Sequence, residues 1–515
     1  MNNKTNGKSQ LTKKAHAGRG QESKWEIPGK IPANSLLSMR RQNGIIFGLC
    51  MLILTTASGG AADSTVRVDV DFDAIVRTLD AAMFGVNTAV WDFTLDTLDS
   101  IALLREAAPL ALRFPGGSIS DQYHWASNSG APAPAHWATS FKNFMHVATN
   151  LQAQVVITVN YGSGTPEEAA AWVRCANVTN HCKFRYWEIG NENFGNWERD
   201  DNVPAHDPLT YARRARDYFA QMKAADPAIK IGVPVTQDSW YNPDHWTPAL
   251  LSALKDEGVT PDFVIFHYYP QLPGKESDAT LLQAAAKWPE KAAYVRQLLN
   301  KHLGPAAAAV ELFCTENNSI PLKPGKQTTS LVNGLFLADS FGQIALTEFK
   351  TFFWWNWRNG LDVGRDKTNN NSASLYGWRN YGSYGMLSRD RYPAFYTFKL
   401  LQWFARAGDR IVHASSDNKL LAVYAARRIN GSLALLVINK SPAAALTANF
   451  SIANFQPAPS ASVYDCGIPQ DEAARTGSGP QDIAQAVFSG AAPQFSRVFP
   501  PYSATVIAFS PQTAK

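Results

Sequence analysis

Eight apolar stretches, each about a strand long and separated by segments of helical pattern, limit this chain more than any other feature. They fall at residues 82–87, 110–115, 155–161, 186–190, 229–235, 263–268, 310–315 and 351–357. Helical segments between them include residues 96–107, 166–174, 208–225, 280–302 and 330–345, and Asp207 with Pro208 suits a helix start. Strands that are apolar along their length, each followed by a helix, belong in a parallel sheet covered on both faces. Eight such units within about 280 residues predict an α/β fold of the closed (β/α)8 barrel type. An open doubly wound sheet is the alternative. No Gly-x-Gly-x-x-Gly follows the first strand, so a dinucleotide fold has little support.

The chain of 515 residues exceeds one typical domain. From residue 411 the pattern changes to short strands at 420–425, 433–438 and 505–509, with Asn430-Gly431 as a hairpin signal between the first two. This predicts an antiparallel β-sandwich domain over residues 411–515 behind a barrel over 81–410. Residues 66–72 alternate apolar and charged side chains, and the 63–80 segment is read as an extra strand joining the β domain. The Gly/Ala/Ser/Pro-rich run 473–492 reads as a long loop.

Residues 1–62 read as a leader. Met39-Arg40-Arg41 is a basic start, residues 45–54 an apolar run, and residues 57–62 a small-residue cleavage region, the grammar of a secretory signal with a true start at Met39. The apolar run is too short for a comfortable membrane span. Secretion or periplasmic export is the expectation, with no stable span after processing. The leader carries nine Lys/Arg against two Glu, so from a whole-chain net of +5 the body stands at −2. That lacks the basic surplus of nucleic-acid binding.

Cys175 and Cys182 flank a mostly polar loop and are placed to pair in an oxidising compartment. Cys314 lies in a strand, and Cys466 has no evident partner. His181 beside Cys182 has no second ligand pair at zinc spacing, so neither a metal site nor a cofactor is expected.

The chemistry gathers where the predicted strands end, which in a barrel is one face. Strand two ends in Arg113-Phe-Pro-Gly-Gly117 and strand three in Asn160-Tyr161. Strand four ends in Asn191-Glu192, strand six in His267-Tyr-Tyr269, strand seven in Glu316-Asn317 and strand eight in Trp354-Trp-Asn-Trp357. A buried strand cannot leave an amide and a carboxylate unpaired. Glycosidic cleavage needs two carboxyls across the bond, one to protonate the leaving oxygen and one to attack the anomeric carbon. Burial among Trp187 and other aromatics would keep Glu192 protonated, while Arg113 and the Tyr269 hydroxyl would keep Glu316 ionised. Asn191 is set to hydrogen-bond a sugar 2-hydroxyl. Asn160, Trp355 and Trp357 join the substrate-binding candidates. Singly, each has a plainer reading: a strand-end Glu is often a salt-bridge partner, His267 a core histidine, the Trp cluster packing.

As an ordered set, these residues resemble the glycoside hydrolases of clan A, whose barrels carry the acid/base on strand four and the nucleophile on strand seven. Trp187-Glu-Ile-Gly-Asn-Glu192 is similar to the acid/base motif of the family 51 α-L-arabinofuranosidases. Arg113-Phe-Pro-Gly-Gly117 and His267-Tyr-Tyr269 resemble their motifs on strands two and six. The resemblance covers roughly residues 66–510. It implies Glu192 as acid/base, Glu316 as nucleophile, Asn191 as 2-hydroxyl ligand and Tyr269 as partner of the nucleophile. Three departures stand out. Residues 84–87 offer no carboxylate where that family has a first-strand Glu, Ser118 replaces its Asn, and residues 193–197 differ. The run 116–125 looks somewhat like the family 44 endoglucanases. The implied function is a retaining glycosidase of arabinofuranosidase type acting on an oligo- or polysaccharide. An endo-acting β-glycanase of the same clan and a non-catalytic carbohydrate-binding protein are the alternatives.

Overall fold

The computed structural model describes residues 65–130, 136–237, 245–362 and 371–512. The leader and its signal sequence lie outside the described residues. Eight parallel strands close into a barrel. In chain order they are Gly85–Asn87, Ala111–Phe114, Gln154–Val159, Tyr186–Ile189, Lys230–Pro234, Phe263–Tyr268, Glu311–Asn317 and Phe349–Trp354, the last pairing with the first. Each predicted strand is present, its ends shifted by three residues at most.

Period-two alternation explains what the barrel holds. Ala111, Val156, Tyr186, Phe263, Ile265, Phe313 and Phe353 form one buried apolar cluster, with the Phe263 and Phe313 rings stacked at 4.2 Å. Glycines make room for it: a Cβ on Gly232 would lie 2.2 Å from the Phe263 ring, and one on Gly85 2.6 Å from Phe353. Two residues further along the same strands the side chains are polar: Asn87, Arg113, Thr158, Glu188, His267 and Thr315. The barrel is therefore an apolar plug beneath a polar floor.

Helices Leu98–Ala107, Phe141–Leu151, Pro166–Val173, Pro208–Ala225, Trp246–Asp256, Trp288–Leu303, Leu331–Ala345 and Pro393–Phe404 lie between or after the strands. Pro208–Ala225 starts where expected, its Asp207 side chain accepting from the Thr210 N–H at 2.7 Å. The segment expected as one helix over 280–302 is two, Asp278–Ala284 and Trp288–Leu303, joined by a 3-10 turn. Pro289 lies in the first turn of the second helix, where its missing N–H costs no ladder bond.

The β domain is a nine-stranded curled sheet. Its order runs Ala484–Phe488, Pro457–Gly467, Ser503–Pro511, Leu433–Asn439, Leu421–Arg427, Arg410–Ser416, Val66–Thr78, Leu446–Ala453, Gln494–Phe499. Val66–Thr78 pairs antiparallel with Arg410–Ser416 and parallel with Leu446–Ala453. Its Val66, Val68, Val70 and Phe72 enter the core of this domain. The run 473–492 is only partly loop. It holds the end of helix Ile468–Thr476, whose start is closed by the Gly467 N–H on the Gln470 side chain and whose end is Gly477 at φ +69°, and the exposed edge strand Ala484–Phe488. Composition alone hid both, because small residues are compatible with a capped turn of helix and with an edge strand.

Helix Leu331–Ala345 is apolar nearly all round and buried, the expected environment for such a helix. It lies between the barrel and the sheet: Tyr424 packs where a Cβ on Gly342 would be, 2.3 Å from the ring, and donates its hydroxyl to Asp339 at 2.6 Å. Lys440 closes the same carboxylate at 3.2 Å.

Cys175 and Cys182 are free thiols, against the expected disulfide. Residues Arg174–Thr179 form a π-helical turn in which Asn180 donates to the Cys175 carbonyl, while the Cys182 thiol turns to the Met145 sulfur at 3.6 Å. Among the described residues no helix is long and apolar enough to cross a membrane.

Candidate active site

The polar floor is organised by Arg113, which is 1% exposed. Its Nε donates to Glu188 at 2.7 Å, one Nη to Asn87 at 3.0 Å and Glu316 at 2.7 Å, and the other Nη to Asn191 at 2.8 Å. Burial works against the charge of this guanidinium, but Glu188 and Glu316 hold it above its ordinary range. A planar five-donor fork is the side chain that can meet three strand ends at once.

Glu316 receives a second bond from the Tyr269 hydroxyl at 2.5 Å on its other oxygen. Burial and the Glu316 and Glu192 charges push Tyr269 well above its usual pKa, so it stays a donor. The nucleophile candidate is thus gripped on both oxygens.

Glu192 sits past the fourth strand at φ +44°, a left-handed conformation uncommon outside glycine. The turn around it is built locally. Gly190, at φ +71°, has no room for a Cβ against the Asn193 side chain. Asp121 accepts from the Asn191 N–H at 2.9 Å and the Asn193 amide at 3.1 Å. The Gly195 N–H closes on the Glu192 carbonyl at 2.7 Å.

The Glu192 carboxylate accepts from His267 Nδ1 at 2.8 Å and from the Trp197 indole at 2.9 Å. His267 Nε2 meets the Thr315 hydroxyl at 3.1 Å. The expectation that burial keeps Glu192 protonated is corrected here. Burial does raise it, but the His267 hydrogen bond and charge, Trp197 and Arg113 outweigh burial and lower it. The complement is on His267: burial lowers it, yet Glu316 and Glu192 raise it overall. The two directions together favour the proton on His267 beside Glu192 rather than on an isolated carboxyl. One ligand atom each of Glu192, His267 and Glu316 lies within 4.8 Å of the others.

These groups open into a cavity of about 1240 Å³, lined by Ser118, Asn191, Glu192, His267, Tyr269, Glu316 and Trp355 and extending past Phe194 and Trp197 toward Gln283, Lys287 and Lys291. Trp355 forms its aromatic wall. Gly117, at φ +50°, packs so closely that a Cβ would lie 2.6 Å from the Trp355 ring, and Trp91 meets that ring edge-on at 6.3 Å. The glycine pair after Arg113 thus lets the second strand's loop pass under the wall.

The structure brings Arg113, Asn191, Glu192, His267, Tyr269, Glu316 and Trp355 together. It does not bring Asn160 or Trp357. The Asn160 side chain folds back on its own loop, accepting from the Ser163 N–H at 2.9 Å. Trp357 is fully buried, its ring 6.0 Å from Phe395. Three buried carboxyls were missed. Glu188 was read as part of an apolar strand, although alternation with Tyr186 places it inside the barrel. Asp121 lies in the 3-10 helix Gly117–Gln122 and Glu198 in a loop, and no local signal marks either. Burial pushes Asp121 to about 7 despite its N–H donors, and burial with the Asp121 and Glu192 charges pushes Glu198 well above the carboxylate range.

No family model matches the chain. It is 27% identical over 176 residues to the "Probable alpha-L-arabinofuranosidase C" of Aspergillus fumigatus, 29% of this chain and 34% of that protein. It is 26% identical over 160 residues to "Alpha-L-arabinofuranosidase C" of Emericella nidulans, 26% and 31% of the respective chains. The match thus spans about a third of these curated relatives. Among solved structures, the α-L-arabinofuranosidase from Thermotoga maritima in complex with arabinose superposes with a TM-score of 0.68 at 17% identity, over 86% of this chain and 99% of that one. A family 44 xyloglucanase from Paenibacillus polymyxa gives 0.63 at 13%, over 87% and 99%. The barrel-plus-sandwich fold is common to both, and the likeness to α-L-arabinofuranosidases meets the resemblance carried by the motifs.

Proposed function

We propose that this chain is a retaining glycoside hydrolase of α-L-arabinofuranosidase type, with Glu192 as acid/base and Glu316 as nucleophile. The observation that carries it is the facing pair at the ends of strands four and seven, with a carboxylate oxygen of each within 4.8 Å of the other. Carboxyls stand about 5–5.5 Å apart in retaining enzymes and about 6.5–9.5 Å in inverting ones, so the close approach supports retention. Glu316, bonded by Arg113 on one oxygen and by Tyr269 on the other, attacks the anomeric carbon while the Glu192–His267 pair delivers its proton to the leaving oxygen. Water then enters, and Glu192 takes its proton as the glycosyl–Glu316 ester breaks. The arabinofuranosidase assignment is supported by the curated relatives and the arabinose-bound structural neighbour. Export is part of the proposal and rests on the signal grammar of residues 39–62.

Glu316→Ala and Glu192→Ala, assayed on aryl α-L-arabinofuranosides, test it. Loss of Glu316 abolishes turnover of both good and poor leaving groups. Loss of Glu192 slows a poor leaving group by about 10²–10⁴ and a good one far less. Unchanged rates in both variants would end the proposal.

The size of the cavity favours a second reading. It exceeds the roughly 300–1,000 Å³ of a site for one small ligand, and the structural neighbours include a xyloglucanase and a bifunctional glucanase-xylanase. An endo-acting β-glycanase would release oligosaccharides from polymer, whereas the first reading releases arabinose.

A further inference from the structure

We propose that Glu198 is a positioning residue that sets Ser118 and Asn191 as a matched acceptor–donor pair for one sugar hydroxyl, in the substrate site proposed above. One oxygen of Glu198 accepts from both neighbours, from the Ser118 hydroxyl at 2.8 Å and from the Asn191 amide at 3.0 Å. Glu198 is 4% exposed, whereas Ser118 and Asn191 line the cavity.

The consequence follows from the hydrogen-bonding capacity of each group. A serine hydroxyl has one proton; with that proton committed to Glu198, the oxygen offers only lone pairs to the cavity. The Asn191 amide is fixed at both ends, its oxygen by Arg113 at 2.8 Å and its nitrogen by Glu198. Its orientation is unambiguous, and its second N–H is the donor left over. An acceptor beside a donor fits a hydroxyl, which donates to Ser118 and accepts from Asn191. Burial and the nearby Asp121 and Glu192 charges favour the neutral acid form of Glu198, whose carbonyl oxygen still accepts both bonds. The other oxygen has no hydrogen-bond partner among the described residues. Serine stands here where the resembled family has asparagine, so the Ser118–Glu198 pair is this chain's own arrangement.

The test uses Glu198→Met, which keeps length and removes the acceptor, and Glu198→Gln, whose amide oxygen restores it. Each is assayed for kcat/KM on an aryl α-L-arabinofuranoside and on its 2-deoxy analogue, with melting temperatures measured in parallel. Glu198→Met is expected to lose about tenfold or more on the hydroxylated substrate and no more than about twofold on the deoxy one. Glu198→Gln is expected to recover most of the loss. Equal losses of Glu198→Met on both substrates, or a Glu198→Gln variant as impaired as Glu198→Met, would overturn the proposal. A wild-type protein that cleaves neither the arabinoside pair nor a polymeric β-glycan would instead refute the hydrolase reading on which it rests.

Discussion

Arg113→Met is the most informative single change. Methionine keeps the length and apolar stem of the side chain and removes the guanidinium. Two carboxylates then lose a bond at 2.7 Å each, Glu188 with a fully buried side chain and Glu316 with a side chain 6% exposed. Breaking a buried ion pair by deleting one partner costs about 3–5 kcal/mol, because the remaining charge is left desolvated. Glu316 keeps its Tyr269 bond, whereas Glu188 keeps, among the described residues, only the Thr158 hydroxyl at 2.7 Å. The larger share of the loss therefore comes from Glu188. Glu188→Gln added to Arg113→Met removes that orphan charge and should recover at least about 1 kcal/mol. Activity should not follow stability. Both variants lack the charge-assisted bond to Glu316, worth about 1.5–3 kcal/mol, so kcat/KM falls about 10- to 150-fold in each. Urea unfolding and kcat/KM on aryl arabinosides measure the two separately. A stability loss below about 1 kcal/mol, or a double variant no more stable than the single, would refute the assignment of Arg113 as the electrostatic keystone of the barrel floor.

Tyr269→Phe removes the hydroxyl on Glu316 and should lower kcat/KM about tenfold or more, since a hydrogen bond to a charge is lost; an unchanged value would place Tyr269 outside the reaction. His267→Asn should move the basic limb of the kcat/KM–pH profile to lower pH. In the wild type the deliverable proton leaves as pH rises through the raised His267 pKa, above the ordinary 6.5, whereas in the variant it leaves from a carboxyl. An unmoved limb would show that Glu192 alone holds the proton. Gly232→Ala should destabilise by about 1–3 kcal/mol, because its Cβ meets the Phe263 ring inside the closed barrel; thermal unfolding at wild-type temperature would contradict the packing described.

Two sites show where local sequence was sufficient and where it failed. His267 and Tyr269 stood at a predicted strand end with an obvious chemical use, and both are in the cavity. Trp357 stood at a strand end with an equally obvious use, but strand eight stops at Trp354 and Trp357 turns into the helix layer. Asn160 likewise bonds its own loop. A residue past a strand end has no fixed direction, since the loop's backbone and not strand alternation aims it.

What the sequence determined alone was the architecture and the two glutamates. Strands apolar on both faces and alternating with helices require a parallel sheet covered on both sides, eight such units fit a closed barrel, and a carboxylate ending such a strand belongs at its mouth. What only tertiary structure decided was the electrostatics. Whether Glu192 holds its proton depends on an imidazole two strands away, and the buried charge of Arg113 is compensated by Glu188 and Glu316, 75 and 203 residues downstream. The thiols of Cys175 and Cys182 are free, and Cys182 turns to the Met145 sulfur, a contact that loop spacing does not announce. Interactions in a low-dielectric interior depend on distance and burial, and neither is a property of sequence spacing.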